Sequence, residues 1–347
     1  MHDIRYERMN VQTIQLHSRP RIAAHYAVVG KKEAEGPLSA EFDLKYENDD
    51  SFGESSWEKS ETCLQKKAYA AAVDISGEPD IVFGGDLLAQ CSGTAFAMRG
   101  VNVPVVGLYG ACSTFAEAIA LGAVFVDGGY AKTAAAVTSS HFCSVGRQFR
   151  FPIMYGEQRT PTAQWTVTGA GCAVIGVGNA CVRSDVHTCS NSGVARDIVI
   201  TAVTFGKIID MNITDATDMG SAMAGAAFDT LSAHLSNTGK SPADFDVILT
   251  GDLGAVGSAI LRKLRPDMTN HNDCGLLIYS SEQDVNAGGS GAGCSASVLC
   301  GHMFKEMERK NVRTMLFIAT GALLSPVTAL QGESIPAIAH CVEFSLA

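Results

Sequence analysis

The sequence predicts an α/β protein built from two similar halves that share one core. Three observations favour this fold class: the chain is long and apolar, an apolar strand ending in Gly-Asp occurs twice, and a helix rich in small residues follows each occurrence. Of the 347 residues, 46% are hydrophobic and 18% are charged, which suits a large buried core and excludes a disordered protein. This length exceeds one small domain.

The repeat is visible in the letters. Residues Asp80–Leu87 read DIVFGGDL, and Asp246–Leu253 read DVILTGDL. Each copy predicts a short buried strand closed by a turn, because four apolar residues run directly into Gly-Asp. Helix-like segments precede the two copies at Ser56–Val73 and Ser221–Leu235. The order of elements therefore repeats together with the letters, which indicates a duplication.

The similarity continues downstream. A second pair of strands is predicted at Lys132–Thr138 and Arg313–Ala319. Before each of them, a small-residue turn opens a small-residue helix, at Gly110–Thr114 and Thr114–Val126 in one half and at Gly291–Ser295 and Ser295–Glu308 in the other. Such helices can approach their neighbours closely, so we expect them to be buried between two sheets. We interpret residues 1–195 and 196–347 as the two halves.

Charge and cysteine usage exclude several classes of protein. The net charge of −10 argues against a nucleic-acid binder, because phosphate affinity needs a basic face. The longest apolar runs fall far short of the roughly 20 residues that cross a bilayer, and the polar Met1–Arg8 segment does not look like a signal peptide. The 11 cysteines form no CxxC pair, so disulfides and structural zinc are poor interpretations and a reducing compartment fits better.

No cofactor motif is evident. The glycine runs Gly169–Gly171 and Gly288–Gly293 match neither the dinucleotide-binding nor the P-loop pattern. We interpret both as turns and close-packed backbone. The polar stretch Lys31–Trp57 is predicted to be a surface loop.

Cys112 is the first candidate site residue. The predicted strand Val103–Tyr109 runs through a small-residue turn directly into a helix, which puts the thiol at a helix N-terminus. The helix dipole at such a position lowers the pKa of a thiol and favours the thiolate. The alternative is a buried structural cysteine, the interpretation that fits most of the others.

Two aspartates end the repeated strands, Asp86 in the first half and Asp252 in the second. A carboxylate at the end of a buried strand either caps a turn or helix or faces a ligand. The letters leave both interpretations open for both residues.

Further polar residues follow the strand Ala134–Val137: the candidates are Ser139, Ser140, His141, Arg147 and Arg150. Ligand groups in α/β proteins commonly lie at the carboxyl end of a strand. The two arginines could clamp a planar carboxylate ligand by paired hydrogen bonds and stacking. The alternatives are a histidine with a structural role and arginines that form surface ion pairs.

His271 belongs to a polar cluster, His271–Gly275, that precedes a predicted strand at Leu276–Tyr279. One histidine, one aspartate and one cysteine in a row do not have the spacing of metal ligands. No intrinsic metal site is predicted here.

The turn Gly110–Thr114 at the start of a buried helix, within a duplicated α/β body, resembles thiolases and ketoacyl synthases. More closely, the chain resembles the stage V sporulation protein AD family of endospore-forming bacteria. The segments that carry this resemblance are Gly36–Leu38, Gly85–Leu88, Gly110–Thr114, Thr138–His141, Arg147–Arg150, Ile213–Asp215, Asp218–Ala222, Thr250–Asp252, His271–Gly275, Thr320–Pro326 and Glu333–Pro336. Together they span the chain from about Pro20 onward.

The resemblance implies a five-layer αβαβα thiolase-like fold and a homodimer. It also implies that dipicolinic acid, as its calcium chelate, is moved into the developing spore and out during germination, by a chain that lies peripherally on the inner spore membrane with other SpoVA subunits. Asp86, Cys112 and Ser140 correspond to the family's ligand site, and Asp86 could complete the coordination of ligand-bound calcium. No cofactor is implied.

The same comparison argues against catalysis. Condensing enzymes use a cysteine with two further groups, usually two histidines or a histidine and an asparagine, to activate the thiol and stabilise the oxyanion. The corresponding positions here are Gly251–Asp252 and Gly288–Gly291, which offer neither. The alternative is an active acyl-transferring condensing enzyme in which Cys112 is the nucleophile and His271 substitutes for the missing group. A scaffold that only docks on membrane partners is a third possibility.

Overall fold

The computed structural model describes residues 12–150, 159–178 and 198–347. The strands within these ranges are β1 Thr13–Gln15, β2 Arg21–Val29, β3 Leu44–Lys45, β4 Ile81–Gly85, β5 Val105–Leu108, β6 Thr133–Ser140, β7 Trp165–Thr166, β8 Gly169–Gly176, β9 Ile198–Phe205, β10 Val247–Thr250, β11 His271–Asp273, β12 Gly289–Ser290, β13 Thr314–Ala322 and β14 Ala337–Leu346.

The α-helices in the same ranges are α1 Lys31–Ala34, α2 Trp57–Ser76, α3 Ser92–Ala97, α4 Thr114–Asp127, α5 Phe142–Val145, α6 Met219–Thr238, α7 Gly254–Leu264, α8 Cys274–Leu277, α9 Ala292–Val298, α10 Phe304–Glu308 and α11 Pro326–Leu330. Short 3₁₀ turns occur at Ser39–Glu41, Ala89–Cys91, Ala111–Ser113, Pro242–Asp244 and Ser281–Gln283, and π-helical segments at Gly146–Arg150 and Leu299–Met303.

The strand order repeats, as the letters predict. Along the main sheet the strands run β11-β10-β13-β14-β9-β2-β8-β6-β4-β5. In the first half, β5, β4 and β6 are parallel neighbours, and β8 and β2 follow antiparallel. In the second half, β11, β10 and β13 are parallel, and β14 and β9 follow antiparallel. The repeated sequences thus form β4 and β10 at equivalent places. The proposed boundary between residues 195 and 196 lies outside the described residues.

Helices and strands alternate in five layers, and three large hydrophobic cores lie between the layers. Helices α2 and α3 cover the outer face of the first half's strands, and α6 and α7 cover the outer face of the second half's strands. Between the two sets of strands lie α4 and the helical run from α9 to α10, both packed in the largest core. Helix α4 contacts strands of both halves, because its small residues let it lie close to each. The predicted thiolase-like αβαβα layering is confirmed.

Helix ends follow the local chemistry of the sequence. Ser56 caps α2 by accepting a hydrogen bond from the Lys59 backbone N–H, and the helix ends at Gly77, whose φ of +93° suits only glycine. Asp218 caps α6 by accepting from the Ser221 N–H. Both helices extend a few residues beyond the ranges predicted from their periodicity.

Two local predictions are wrong. Leu276–Tyr279 is not a strand: the strand is β11, which Asp273 ends, and a one-turn helix follows. A short apolar run cannot be assigned to helix or strand by periodicity alone. The stretch Lys31–Trp57 is not simply a surface loop, because it contains α1 and β3 and buries Glu33 completely.

The Gly169–Gly171 run belongs to strand β8 rather than to a turn. Its close packing is confirmed: a Cβ added at Gly171 would lie 2.4 Å from the Ala296 carbonyl oxygen in α9. Only glycine lets the buried helix come this close to the sheet.

Within residues 12–150, 159–178 and 198–347, no helix is long and apolar enough to cross a membrane. Each of the nine cysteines in these ranges is a free thiol.

Candidate functional site

Cys112 lies where the two halves meet. Strand β5 ends at Leu108, the 3₁₀ turn Ala111–Ser113 follows, and α4 begins at Thr114. The turn packs against β13 of the second half so closely that a Cβ added at Gly321 would lie 2.2 Å from the Gly110 carbonyl oxygen. The strand-to-helix placement of the thiol is confirmed, and Cys112 is only 6% exposed.

The thiol contacts polar groups of the second half. Cys112 Sγ lies 3.8 Å from Ser290 Oγ, and that hydroxyl donates to Asp252 Oδ2 at 3.0 Å. The same carboxylate accepts from the Gly291 N–H and the Thr320 hydroxyl, each at 3.0 Å. Asp252 thus lies beside the thiol and fixes the hydroxyl that faces it.

The expected lowering of the Cys112 pKa is wrong. Burial raises the pKa of this thiol well above its ordinary value, and the neighbouring Asp252 carboxylate raises it further. A thiolate here would lose its hydration and would lie beside a negative charge. The thiol form is therefore favoured at neutral pH.

Asp86, which the repeat relates to Asp252, has a structural environment. Its Oδ1 accepts from the Leu88 N–H at 2.8 Å, and its Oδ2 accepts from the Thr94 N–H and hydroxyl, both at 2.7 Å. The side chain is buried and is not among the described residues that line the cavity next to Cys112. Asp86 fixes the turn that carries Leu87, and Leu87 does line the cavity described next.

A cavity of about 410 Å³, here called the Cys112 cavity, opens at the thiol. Its described walls are mainly apolar and aromatic, with Leu87, Tyr109, Phe142, Val145, Phe149, Met219, Leu323 and Leu324. Polar lining comes from Cys112, Gln164, Thr166, Thr217, Ser290 and Ser325, and Arg159 is the one charged side chain among the described lining residues. Mostly apolar walls with a few polar groups are typical of a small-molecule site.

A two-stranded sheet positions the polar wall. Strands β7 and β12 pair in parallel, with Thr166 opposite Ser290. Gln164 reinforces the pairing, because its amide donates to the backbone oxygens of Asp252 and Gly289 at 2.8 and 2.9 Å. The amide N–H groups of Gln164 are therefore engaged in holding the wall.

Strand β6 is longer than predicted, so Ser139 and Ser140 are its last two residues, and His141 follows it as the N-cap of α5. The Ser140 hydroxyl donates to the Val167 carbonyl at 2.7 Å and accepts from the Gly293 N–H at 3.0 Å. The Ser139 hydroxyl bonds the buried Glu61 carboxyl at 3.2 Å. These contacts join β6 to its neighbours, and none of the three residues lines the Cys112 cavity.

The His141 ring is used structurally. Its Nδ1 accepts from the Cys143 N–H at 3.1 Å, so its Nε2 donates to the Asp50 carbonyl at 2.8 Å. Burial lowers the pKa of this imidazole. His271 is similar: its Nε2 lies 2.9 Å from the Thr250 hydroxyl, and burial lowers its pKa to about 4. Neither imidazole lines the Cys112 cavity.

Arg147 lies at the surface. Its guanidinium is 57% exposed and forms an ion pair with Glu58 at 3.1 Å. The side chain of Arg150 lies outside the described part of the structure. The residues between them contribute instead: Gln148 bonds the backbone at Leu87 and Ala89, and Phe149 lines the cavity.

The structure therefore brings Cys112 and Asp252 together and adds residues that sequence reasoning missed, namely Arg159, Gln164, Thr166 and Ser290. No motif marks these residues, because tertiary contacts bring them together. Thr166 and Ser290 meet through the pairing of β7 with β12, and Arg159 is held by hydrogen bonds to Asp284. The one sequence feature that could have pointed to this wall is Arg159, which precedes a Thr-Pro turn and the Gln-Trp-Thr segment 164–166.

The described neighbours of Cys112 Sγ are the Ser290 hydroxyl, the Asp252 carboxylate and the Gly291 backbone N–H, and no imidazole lies among the described residues that line the cavity.

Layering and a cavity that ends at a buried cysteine define a protein of the thiolase-like class. The chain is similar to human mitochondrial 3-ketoacyl-CoA thiolase in complex with CoA, with a TM-score of 0.60 at 12% identity, covering 96% of this chain and 99% of that one. It is also similar to 3-oxoacyl-(acyl carrier protein) synthase III from Pseudomonas aeruginosa PAO1, with a TM-score of 0.55 at 14% identity, covering 94% and 98%. At these identities, the likeness establishes the fold alone.

Sequence comparison identifies a particular family within this thiolase-like class. The family model of stage V sporulation protein AD (SpoVAD) matches residues 10–345. The stage V sporulation protein AD of Bacillus subtilis (strain 168) is 42% identical over 327 residues, which cover 92% of each chain. This chain belongs to the stage V sporulation protein AD family and is a sporulation protein with a thiolase-like fold.

Proposed function

We propose that this protein binds dipicolinic acid, free or as its calcium chelate, in the Cys112 cavity without chemical turnover, for uptake into the developing spore and release during germination. The observation that carries the proposal is the cavity itself: it reaches a thiol that is kept protonated, and its described lining holds one cation and no imidazole. Such a cavity favours holding an anion over acylating the cysteine.

The lining suits a small aromatic dicarboxylate. The rings of Tyr109, Phe142 and Phe149 offer flat apolar surface for a pyridine ring. Arg159 offers N–H donors and a positive charge for carboxylate oxygens. The volume of about 410 Å³ lies within the range of small-molecule sites.

Calcium would enter with the ligand rather than through a preformed protein site. Within residues 12–150, 159–178 and 198–347, no group of three or more His, Cys, Asp or Glu side chains is arranged to hold a metal ion. Asp86, the predicted calcium partner, accepts hydrogen bonds from Leu88 and Thr94. A chelate would bring its own carboxylate oxygens, which are the ligands that calcium prefers.

Titration calorimetry with dipicolinate tests the proposal. We expect saturable binding to the wild-type protein, and loss of at least about tenfold in affinity when Leu324→Trp fills the cavity rim. Val327→Trp is the matched control, because Val327 is 64% exposed and is not among the lining residues. Titrations with and without calcium separate the free acid from the chelate. Equal affinity in both variants and the wild type would place the ligand elsewhere.

The alternative is an active condensing enzyme, favoured only by the position of Cys112 at the end of the cavity. It requires a thioester to transfer its acyl group to Cys112 Sγ, with release of the thiol of coenzyme A. We expect mass spectrometry after incubation with acetyl-CoA to show an unmodified chain. An acetyl group on Cys112 that is absent from Cys112→Ser would establish the enzyme and overturn the non-catalytic proposal.

The assembly is likewise a proposal, which rests on the family resemblance. A homodimer fits strand β5, whose outer edge is unpaired within the described residues and carries the exposed Val105 and Val106. Exposed apolar edge strands commonly pair with another chain. Peripheral association with the inner spore membrane, alongside other SpoVA subunits, follows from the same resemblance. Sedimentation equilibrium of the purified chain checks the dimer, and a monomer would contradict it.

A further inference from the structure

We infer that Arg159 is the side chain that recognises a carboxylate in the Cys112 cavity and makes the cavity prefer aromatic dicarboxylates over monocarboxylates. The inference rests on the proposed function and names the residue that determines which ligand charge the cavity prefers. Among the described residues that line the cavity, Arg159 is the only one with a charged side chain.

The guanidinium is only partly used within the protein. Its Nη2 donates to the Asp284 backbone oxygen at 2.8 Å and to the Asp284 carboxylate at 2.6 Å. Its Nη1 is buried and has no hydrogen-bond partner among the described residues. Buried donors are nearly always satisfied, so the unpartnered Nη1 leaves the guanidinium with unused hydrogen-bonding capacity.

The side chain is also held in place before any ligand arrives. The Arg159 guanidinium carbon lies 4.9 Å from the centroid of the Trp165 ring. That ring stacks on Phe142 with centroids 3.8 Å apart and planes 5° apart, and Phe142 lines the cavity. Cation–π contact and stacking reduce the rotamer freedom that an arginine would lose on binding.

Arg159 also lines a depression on the protein surface. It shares this second, more open depression with Thr160, Pro161 and Asn286. It therefore belongs to both the inner cavity and an outer recess, as expected for a residue at an entrance.

Asp284 competes with the ligand for the same cation. Its side chain is 81% exposed, so it contributes little to the core. Its carboxylate neutralises part of the Arg159 charge, whereas its backbone oxygen bonds Nη2 independently of the side chain. Removing the carboxylate charge should free the guanidinium for a ligand without displacing it.

The experiment measures binding of four probes: dipicolinate, isophthalate (the same dicarboxylate geometry without the ring nitrogen), picolinate and benzoate. In the wild-type protein we expect each dicarboxylate to bind more tightly than its monocarboxylate partner. Arg159→Gln should weaken dicarboxylate binding by about 10- to 100-fold and remove this preference, because a charge-assisted hydrogen bond is lost. Arg159→Lys, which keeps the charge but not the planar fork, should fall between.

Two further variants control the result. Arg147→Gln removes a surface cation of the same type that pairs with Glu58, and binding should be unchanged. Asp284→Asn should tighten dicarboxylate binding by about 2- to 5-fold, which is opposite to any loss caused by damage to the fold.

Each outcome of these titrations supports or overturns the role of Arg159, the proposed function, or both. Isophthalate binding that depends on Arg159, without dipicolinate binding, would support the inference and refute the proposed function. Dipicolinate binding that is equal in wild type and Arg159→Gln would overturn the inference and leave the proposed function standing. No binding of any probe would overturn both.

Discussion

Alanine in place of Asp252 is expected to lower the free energy of unfolding by about 3 to 5 kcal/mol. The carboxylate accepts from the Ser290 hydroxyl, the Gly291 N–H and the Thr320 hydroxyl, each at 3.0 Å, and Asp252 is only 1% exposed. Without the carboxylate, buried donors from β12 and β13 lose their acceptor, and each costs about 1–3 kcal/mol before the site relaxes. Urea unfolding monitored by circular dichroism measures the change.

Two variants control this result. Asp267→Ala removes an exposed carboxylate that pairs with Arg265 and should cost no more than about 1 kcal/mol. Asp252→Asn should be milder than Asp252→Ala, because an amide oxygen can still accept from Gly291 while the amide N–H groups face a hydroxyl that can accept. A loss for Asp252→Ala no larger than that for Asp267→Ala would contradict the hydrogen-bond account.

The same asparagine variant reports on the thiol. The Asp252 carboxylate is, after burial, the largest cause of the raised pKa of Cys112. Asp252→Asn should therefore lower that pKa, and alkylation of Cys112 by iodoacetamide at pH 8 should become faster than in the wild type. An unchanged rate would mean that burial alone protects the thiol.

Stability should fall as pH rises from about 5 to 8 because of Glu61. Its carboxyl is fully buried and bonds the hydroxyls of Ser139 and Ser144 at 3.2 and 2.6 Å. Burial, with a smaller contribution from the nearby Asp86 carboxylate, raises the pKa of Glu61 from 4.5 to about 8. Between these two pH values the folded state binds a proton that the unfolded state has released, so the stability gained from the proton disappears as pH passes through the folded pKa.

Glu61→Gln should remove this loss, because the amide does not ionise. We expect the variant to gain stability relative to the wild type as pH rises, by on the order of 5 kcal/mol above pH 8, and to gain little at pH 5. Glu58→Gln is the matched control one helical turn earlier, where the side chain is exposed and pairs with Arg147. Parallel curves of stability against pH for Glu61→Gln and wild type would show that Glu61 is not the group that titrates.

The large elements were predictable because they depend on local patterns. Apolar runs closed by Gly-Asp became β4 and β10, and the small-residue segment after Cys112 became α4, packed between the halves. The roles of the polar residues were harder to predict from the sequence. Asp86 and Asp252 both stand between a glycine and a leucine, yet Asp86 holds a turn and Asp252 lies beside the thiol.

The sequence by itself determined the α/β class, the duplicated strand order, the place of Cys112 at a strand-to-helix turn, and the family, because these reside in periodicity and in ordered motifs. Only the tertiary structure decided which polar groups meet the ligand space and whether the thiol ionises. The pairing of β7 with β12 brings Thr166 and Ser290 together from distant parts of the chain, and both line the cavity together with Arg159. Burial beside Asp252 outweighs the helix N-terminus at Cys112, because the desolvation of a charge depends on the whole surrounding structure.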